Sequence, residues 1–231
     1  MNSKTAHLSL REMMAAQTSK QFWSIKLLVA IVLTLWFVLV LFLGANGKFV
    51  QRPEVPPFPI LLGASIPVLL FLAAYFVSGP FKGYVLASDL RLGAAIQGWR
   101  VAGLGFLALY AQGILPGQFA LPAGLGDIAI GVTAPWIVLA LARWPAFTAT
   151  GWFIGWNVLG ILDLVVAVGT GALSSGFLAG FTGNVTTAPM ARLPLLLIPV
   201  YLVPLFVMLH LAALFQARRY LATRQRPQEH V

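Results

Sequence analysis

No cysteine occurs in the 231 residues, which excludes disulfides, thiolate metal sites and cysteine nucleophiles. Charge is nearly as scarce. Only 9% of the chain is charged and six residues are acidic, against about 25% charged in a soluble domain. There is no Walker loop, no H-E-x-x-H and no acidic cluster suited to Mg²⁺-dependent phosphotransfer. Only one histidine, His210, falls within an apolar run, so the paired axial ligation of a membrane haem is excluded. No lysine lies deep in a late apolar run, as a retinal Schiff base would require. Gly63-Ala64-Ser65 is followed by Ile66, where a nucleophilic serine motif would carry glycine. The sequence therefore predicts neither a cofactor nor a metal.

What is present is apolar. Hydrophobic residues make up 59% of the chain, more than a soluble domain of this size can hide from water. A lipid bilayer removes the difficulty, and the expected fold class is all-α, a polytopic transmembrane helix bundle of six spans. Each crossing needs about 20 apolar residues. Suitable runs cover Ser24 to Gly44, Phe58 to Ser78, Ala94 to Gln112, Ala123 to Leu141, Thr150 to Val168 and Leu193 to Phe215. The first run follows a polar stretch and lacks a small-residue cleavage site, so it is read as a permanent span and not a signal peptide.

Three regions follow. Residues 1–22 form an N-terminal tail in which Ser9-Leu10-Arg11-Glu12 has the form of a capping box, so a short helix is expected from Leu10. Residues 23–216 form the six-helix domain, and 217–231 a basic tail. Gly79-Pro80 ends the second run, and a stretch with Lys82, Asp89 and Arg91 follows, where Ser88 or Asp89 can cap the next helix. Gly113–Pro122 is expected to be a tight loop or a re-entrant piece. Gly169–Ala191 is either a loop or a segment partly inserted around Phe177–Phe181.

The net charge is +9, but the basic residues flank apolar runs and so speak for membrane orientation instead of nucleic acid. With six crossings, twelve of the fifteen Lys and Arg fall on the side of the termini, and only Lys48, Arg52 and Arg192 on the other. Positive-inside bias then places both termini in the cytoplasm, across a bacterial-type inner (plasma) membrane. The expected partners are the bilayer and either another membrane protein or further copies of this chain, with no nucleic acid.

One internal repeat is suggested. Gly98-Trp99-Arg100-Val101-Ala102-Gly103 resembles Gly155-Trp156-Asn157-Val158-Leu159-Gly160 at an offset of 57 residues, which would pair 94–150 with 151–215 as a parallel duplication.

Polar residues at membrane depth carry most of the functional information, because a charged group at a helix centre costs roughly 2.5–3.5 kcal/mol on insertion scales. Asp127 shares a helical face with Gly124 and Gly131, and Asp163 with Gly160 and Trp156, so both are expected to point into the bundle. With Arg192 at the start of span six they form a candidate solute or proton site, or alternatively one salt bridge with a second, separately bonded aspartate. Gln97, Arg100, Asn157 and His210 form a candidate inner polar layer. Within it, Arg100 has the alternative of snorkelling to the headgroups, and His210 of being a hydrogen-bonded packing residue. Pro199 and Pro204 are hinge candidates, because each frees a backbone carbonyl inside the membrane. The leading functional expectation is translocation or sensing of a small solute or proton through an intramembrane polar seam. The alternatives are a non-catalytic accessory or assembly subunit of a membrane complex and, less favoured, a lipid-acting enzyme with Asp127, Asp163 or His210 together in a watered pocket.

Overall fold

The computed structural model describes residues 3–178 and 183–224, with side chains from residue 23 to residue 223. It is all-helical. In chain order come α1 (Ser3–Ala45), α2 (Phe58–Val77), α3 (Gly79–Ala87), α4 (Leu90–Gln97), α5 (Leu104–Ala111), α6 (Gly117–Arg143), α7 (Gly151–Leu173) and α8 (Val203–Arg224). Among the described residues, six helical stretches are long and apolar enough to cross a membrane: Trp23–Ala45, Phe58–Val77, Leu90–Ala111, Gly117–Arg143, Gly151–Leu173 and Ile198–Thr223. Large apolar side chains cover the outside, among them Val77 at 87% exposure and Trp152 at 84%. That is the surface of a multi-pass integral membrane protein and not of a soluble one.

Several boundaries differ from the sequence reading. The helix expected to start at Leu10 is part of α1, which is continuous from Ser3. No Gly or Pro interrupts the chain before Gly44, so nothing separates an N-terminal helix from the first span. The capping-box side chains lie outside the described residues. The stretch after Gly79-Pro80 forms α3. Pro80 takes a first-turn position, where its missing N–H costs nothing, and the Ser78 hydroxyl caps the helix by accepting from the Phe81 amide at 3.3 Å. Asp89, and not Ser88, caps α4 through the Arg91 amide at 2.9 Å. The Arg91 guanidinium and amide hold the Asp89 carboxyl below the ordinary carboxylate range.

Span four starts earlier than expected, at Gly117, with Pro122 inside it, so the preceding loop is short and turns on Gly113 at φ +69°. Span five runs on to Leu173, with the Thr150 hydroxyl accepting from the Phe153 amide at 3.3 Å. Of the segment around Phe177–Phe181, residues 179–182 lie outside the described residues.

Two spans have irregular backbones at membrane depth. The third is not one α-helix: between α4 and α5 the chain tightens into a 3₁₀ segment, Gly98–Gly103. Its repeat counterpart, Gly155–Gly160, is regular helix within α7. The sixth span begins with a π-helical segment, Ile198–Leu202, preceded by turns from Leu193. Pro199 cannot donate to the Leu195 carbonyl, which instead accepts from the Ile198 amide at 3.0 Å.

Helix α6 is the centre of the bundle. It packs along the whole third span on one side and on α7 on the other, while α8 packs on α7 and α2. Close approach depends on small residues. A Cβ on Gly131 would stand 2.5 Å from the Val101 nitrogen and 2.9 Å from the Arg100 carbonyl carbon. Gly131→Ala is therefore expected to destabilise the bundle by about 1–3 kcal/mol through overpacking. A lower midpoint of thermal unfolding in detergent would show it, with Gly155→Ala, which faces open space, as the neutral comparison. Helix α1 stands at the edge, with only 6% of its apolar window buried. It is tied in where Trp36 and Phe37 meet Tyr201 at ring distances of 4.6 and 5.1 Å.

Candidate functional site

Arg100 is the hub of the molecule. It sits in the 3₁₀ segment, ten residues into the span that starts at Leu90, or about 15 Å from that end at helical rise. This is near the middle of about 30 Å of hydrocarbon. Its side chain has no exposure at all, so the snorkelling reading is overturned. That reading placed the start of the membrane span four residues late, at Ala94, and the guanidinium correspondingly close to the headgroups.

All three guanidinium nitrogens have partners. Nε donates to Asp127 Oδ1 at 2.7 Å, and Nη2 donates to Asp163 Oδ2 in a second, very short ion pair. Nη1 donates to the Gly160 carbonyl at 3.3 Å and faces His210 Nε2 at 3.2 Å. The partner of both aspartates is thus Arg100 and not Arg192. Arg192 lies exposed, before the sixth span becomes helical at Ile198. Asp127 and Asp163 are brought together as expected, but the cation comes from span three. The two aspartate side chains keep 16% and 13% exposure.

The inner polar layer joins the same network. An arginine donates and never accepts, so His210 Nε2 is the acceptor and the proton of the ring sits on Nδ1. Nδ1–H then donates to Asn157 Oδ1 at 2.9 Å, and Asn157 Nδ2 donates to the Phe153 carbonyl at 2.8 Å. Every bond in this chain has one donor and one acceptor only if the imidazole is neutral. ¹⁵N NMR of histidine-labelled protein should accordingly find the buried ring neutral with its hydrogen on Nδ1. Trp156 lies edge-on to the His210 ring at 5.3 Å and anchors itself to the Thr133 hydroxyl at 2.9 Å. Gln97 donates to the Phe206 carbonyl at 3.2 Å, while its Oε1 is buried without a partner.

Two glycines make room for the network. A Cβ on Gly126 would collide with the Asp163 carboxylate, and one on Gly160 would collide with the His210 ring. The sequence marked Gly160 as part of a packing face, but gave no sign that Gly126, on a different face from Asp127, receives the other carboxylate. The expected face of Asp127, Gly124 and Gly131 does meet span three: Gly124 approaches Leu107 and the Gly103 carbonyl, and Gly103 approaches Asp127. Of the two hinge candidates, Pro199 lies in the π-helical segment and Pro204 is fully buried one turn later.

Cavities approach this knot from both ends. One, of about 480 Å³, runs from the interhelical loops at the end remote from the termini down to Asp127, with Arg52 and Arg192 among its lining. The other, of about 390 Å³, opens among Lys26, Ser88 and Asp89 at the termini end and reaches Gln97, Asn157 and Trp156. Arg100 and His210 line neither; together they link Asp127 of the first to Asn157 of the second. Neither cavity holds two of Asp127, Asp163 and His210, which is the arrangement a lipid-acting enzyme would need. Among the described residues no three His, Asp or Glu side chains are grouped so as to hold a metal ion.

The charges do not cancel. One guanidinium faces two carboxylates, and the imidazole is neutral, so the cluster has one negative charge too many when both aspartates are ionised. An uncompensated charge is costly in hydrocarbon. What the arrangement can do chemically is take up and release one proton or one small cation.

A family described as a domain of unknown function, DUF8737, matches residues 57–218. That is more than two thirds of the chain, and it contains every member of the network while leaving out α1. The chain belongs to this family. No curated protein and no solved structure matches it.

Proposed function

We propose that this member of the DUF8737 family moves protons across the membrane through the Arg100 knot. The observation that carries the reading is the placement of a charge-imbalanced, buried network between two cavities that enter from opposite ends. Asp127 faces the cavity at the end remote from the termini, and Asn157 faces the other. The positive-inside distribution supports an orientation with the first cavity outside and the second toward the cytoplasm of a plasma-type membrane.

A relay follows from the hydrogen bonds. A proton taken up by Asp127 cancels its attraction for Arg100 Nε, and the guanidinium shifts toward Asp163, the remaining carboxylate. His210 Nε2 then takes the proton from Asp127, whose carboxylate is restored; the ring turns, Nε2 gives that same proton to water of the inner cavity, and the ring turns back with its hydrogen still on Nδ1. The bent start of span six, which carries Pro199 and leads into Pro204 and His210, supplies the freedom for that turn.

The test is flux in proteoliposomes holding a pH-sensitive dye, with the membrane potential clamped. The protein should speed equilibration of an imposed pH gradient, and Asp127→Asn and Asp163→Asn should each slow it by at least about tenfold. Rates equal to those of empty vesicles, or unchanged in both variants, would overturn the proposal.

A further inference from the structure

The cavity on the Arg52 and Arg192 side has features that a proton path alone does not explain. Its walls are mainly apolar and aromatic, including Phe49, Phe106 and Phe119, and it encloses about 480 Å³, the size of small-molecule sites in general. Water needs no such lining. Polar groups gather elsewhere in it: Arg52, Arg192 and Asn184, together with Ser175, whose Oγ is buried and has no hydrogen-bond partner. Arg52 and Arg192 are exposed and make no ion pair among the described residues. Two uncommitted cations and an orphaned hydroxyl, set over an apolar chamber, make a site with a charged part and a greasy part.

We infer that this cavity binds a single-chain anionic amphiphile, with its head between Arg52 and Arg192 and its chain against Phe106 and Phe119. Charge fixes the orientation. Asp127, at the inner end, repels an anionic head and excludes the reversed pose, while the arginines at the outer end attract it. Ser175 Oγ supplies a donor within the wall for a head-group oxygen. Such molecules already partition into the bilayer around the protein. This inference does not rest on proton movement, and binding is read without it.

The test uses the full chain in nanodiscs of phosphatidylcholine, with 11-(dansylamino)undecanoate as the fluorescent probe. Probe fluorescence should rise saturably and be displaced by dodecanoate or by dodecyl phosphate, but not by dodecanol or dodecyltrimethylammonium at the same concentration. Comparison of the two anions tells a carboxylate site from a phosphate site. Arg52→Gln with Arg192→Gln should weaken binding at least tenfold. Ala167→Trp, which fills the chamber, should abolish it while leaving the arginines in place. Displacement by dodecanol as effective as by dodecanoate would overturn the inference, as would affinity unchanged in both the arginine pair and the Ala167 variant. If the arginine pair fails to fold, the Ala167 variant and the neutral and cationic competitors still decide.

Discussion

Arg100→Leu is expected to cost about 3–5 kcal/mol of stability, the usual penalty for removing one partner of a buried ion pair. The expectation is at the high end because two carboxylates lose their partner at once, along with the hydrogen bonds to the Gly160 carbonyl and His210. The telling comparison is the triple variant Arg100→Leu, Asp127→Asn, Asp163→Asn. Removing the charges together takes away the penalty, since a buried ionic set replaced as a whole by neutral groups is often neutral or stabilising. Thermal unfolding in detergent should therefore find the triple variant well above the single one. Equal destabilisation of the two would mean that shape at position 100, and not charge, holds these helices together.

The second large effect is one of access. Because the chain has no cysteine, single-cysteine variants report one position without interference. Val168 lines the cavity that leads to Asp127, and Ala212 lines the one that leads to Asn157. A charged, membrane-impermeant thiol reagent should label Val168→Cys from the outside only and Ala212→Cys from the cytoplasmic side only. On the proposed path the rate difference between sides should be on the order of tenfold or more, because the surrounding hydrocarbon excludes charge and Arg100 lies between Asp127 and Asn157. Labelling of either position equally from both sides would describe an open pore. Labelling of neither would describe dry voids and remove the path.

The spans themselves were readable because hydrocarbon sets one strict requirement on length and polarity, and runs such as Phe58–Val77 meet it with little ambiguity. The inward face of Asp127 was readable too, since helical geometry puts Gly124 and Gly131 beside it. Finding Arg100 as the partner was harder for two reasons. Asp89 marks the helix start, but the membrane boundary is poorly marked where Leu90 and Leu92 are followed by Gly93 and Ala94, so Arg100 reads as shallower than it lies. The 3₁₀ segment then changes the direction of its side chain relative to a regular helix, and neither Gly98 nor Gly103 announces that change locally. Arg192 looked like the nearer cation because depth was counted along separate helices. The turns from Leu193 and the π-helical segment break that count. The cavities are products of tertiary packing. Ser175 and Arg52, far apart in the chain, carried no mark of lining the same one.

Proton exchange at the two aspartates is the centre of the functional proposal, and infrared difference spectroscopy across a pH titration observes it directly. The account predicts a carboxylic acid C=O band that grows and fades reversibly with pH in the wild-type protein and is altered or lost in both Asp127→Asn and Asp163→Asn. A spectrum in which no carboxyl band that depends on these two residues titrates would contradict it.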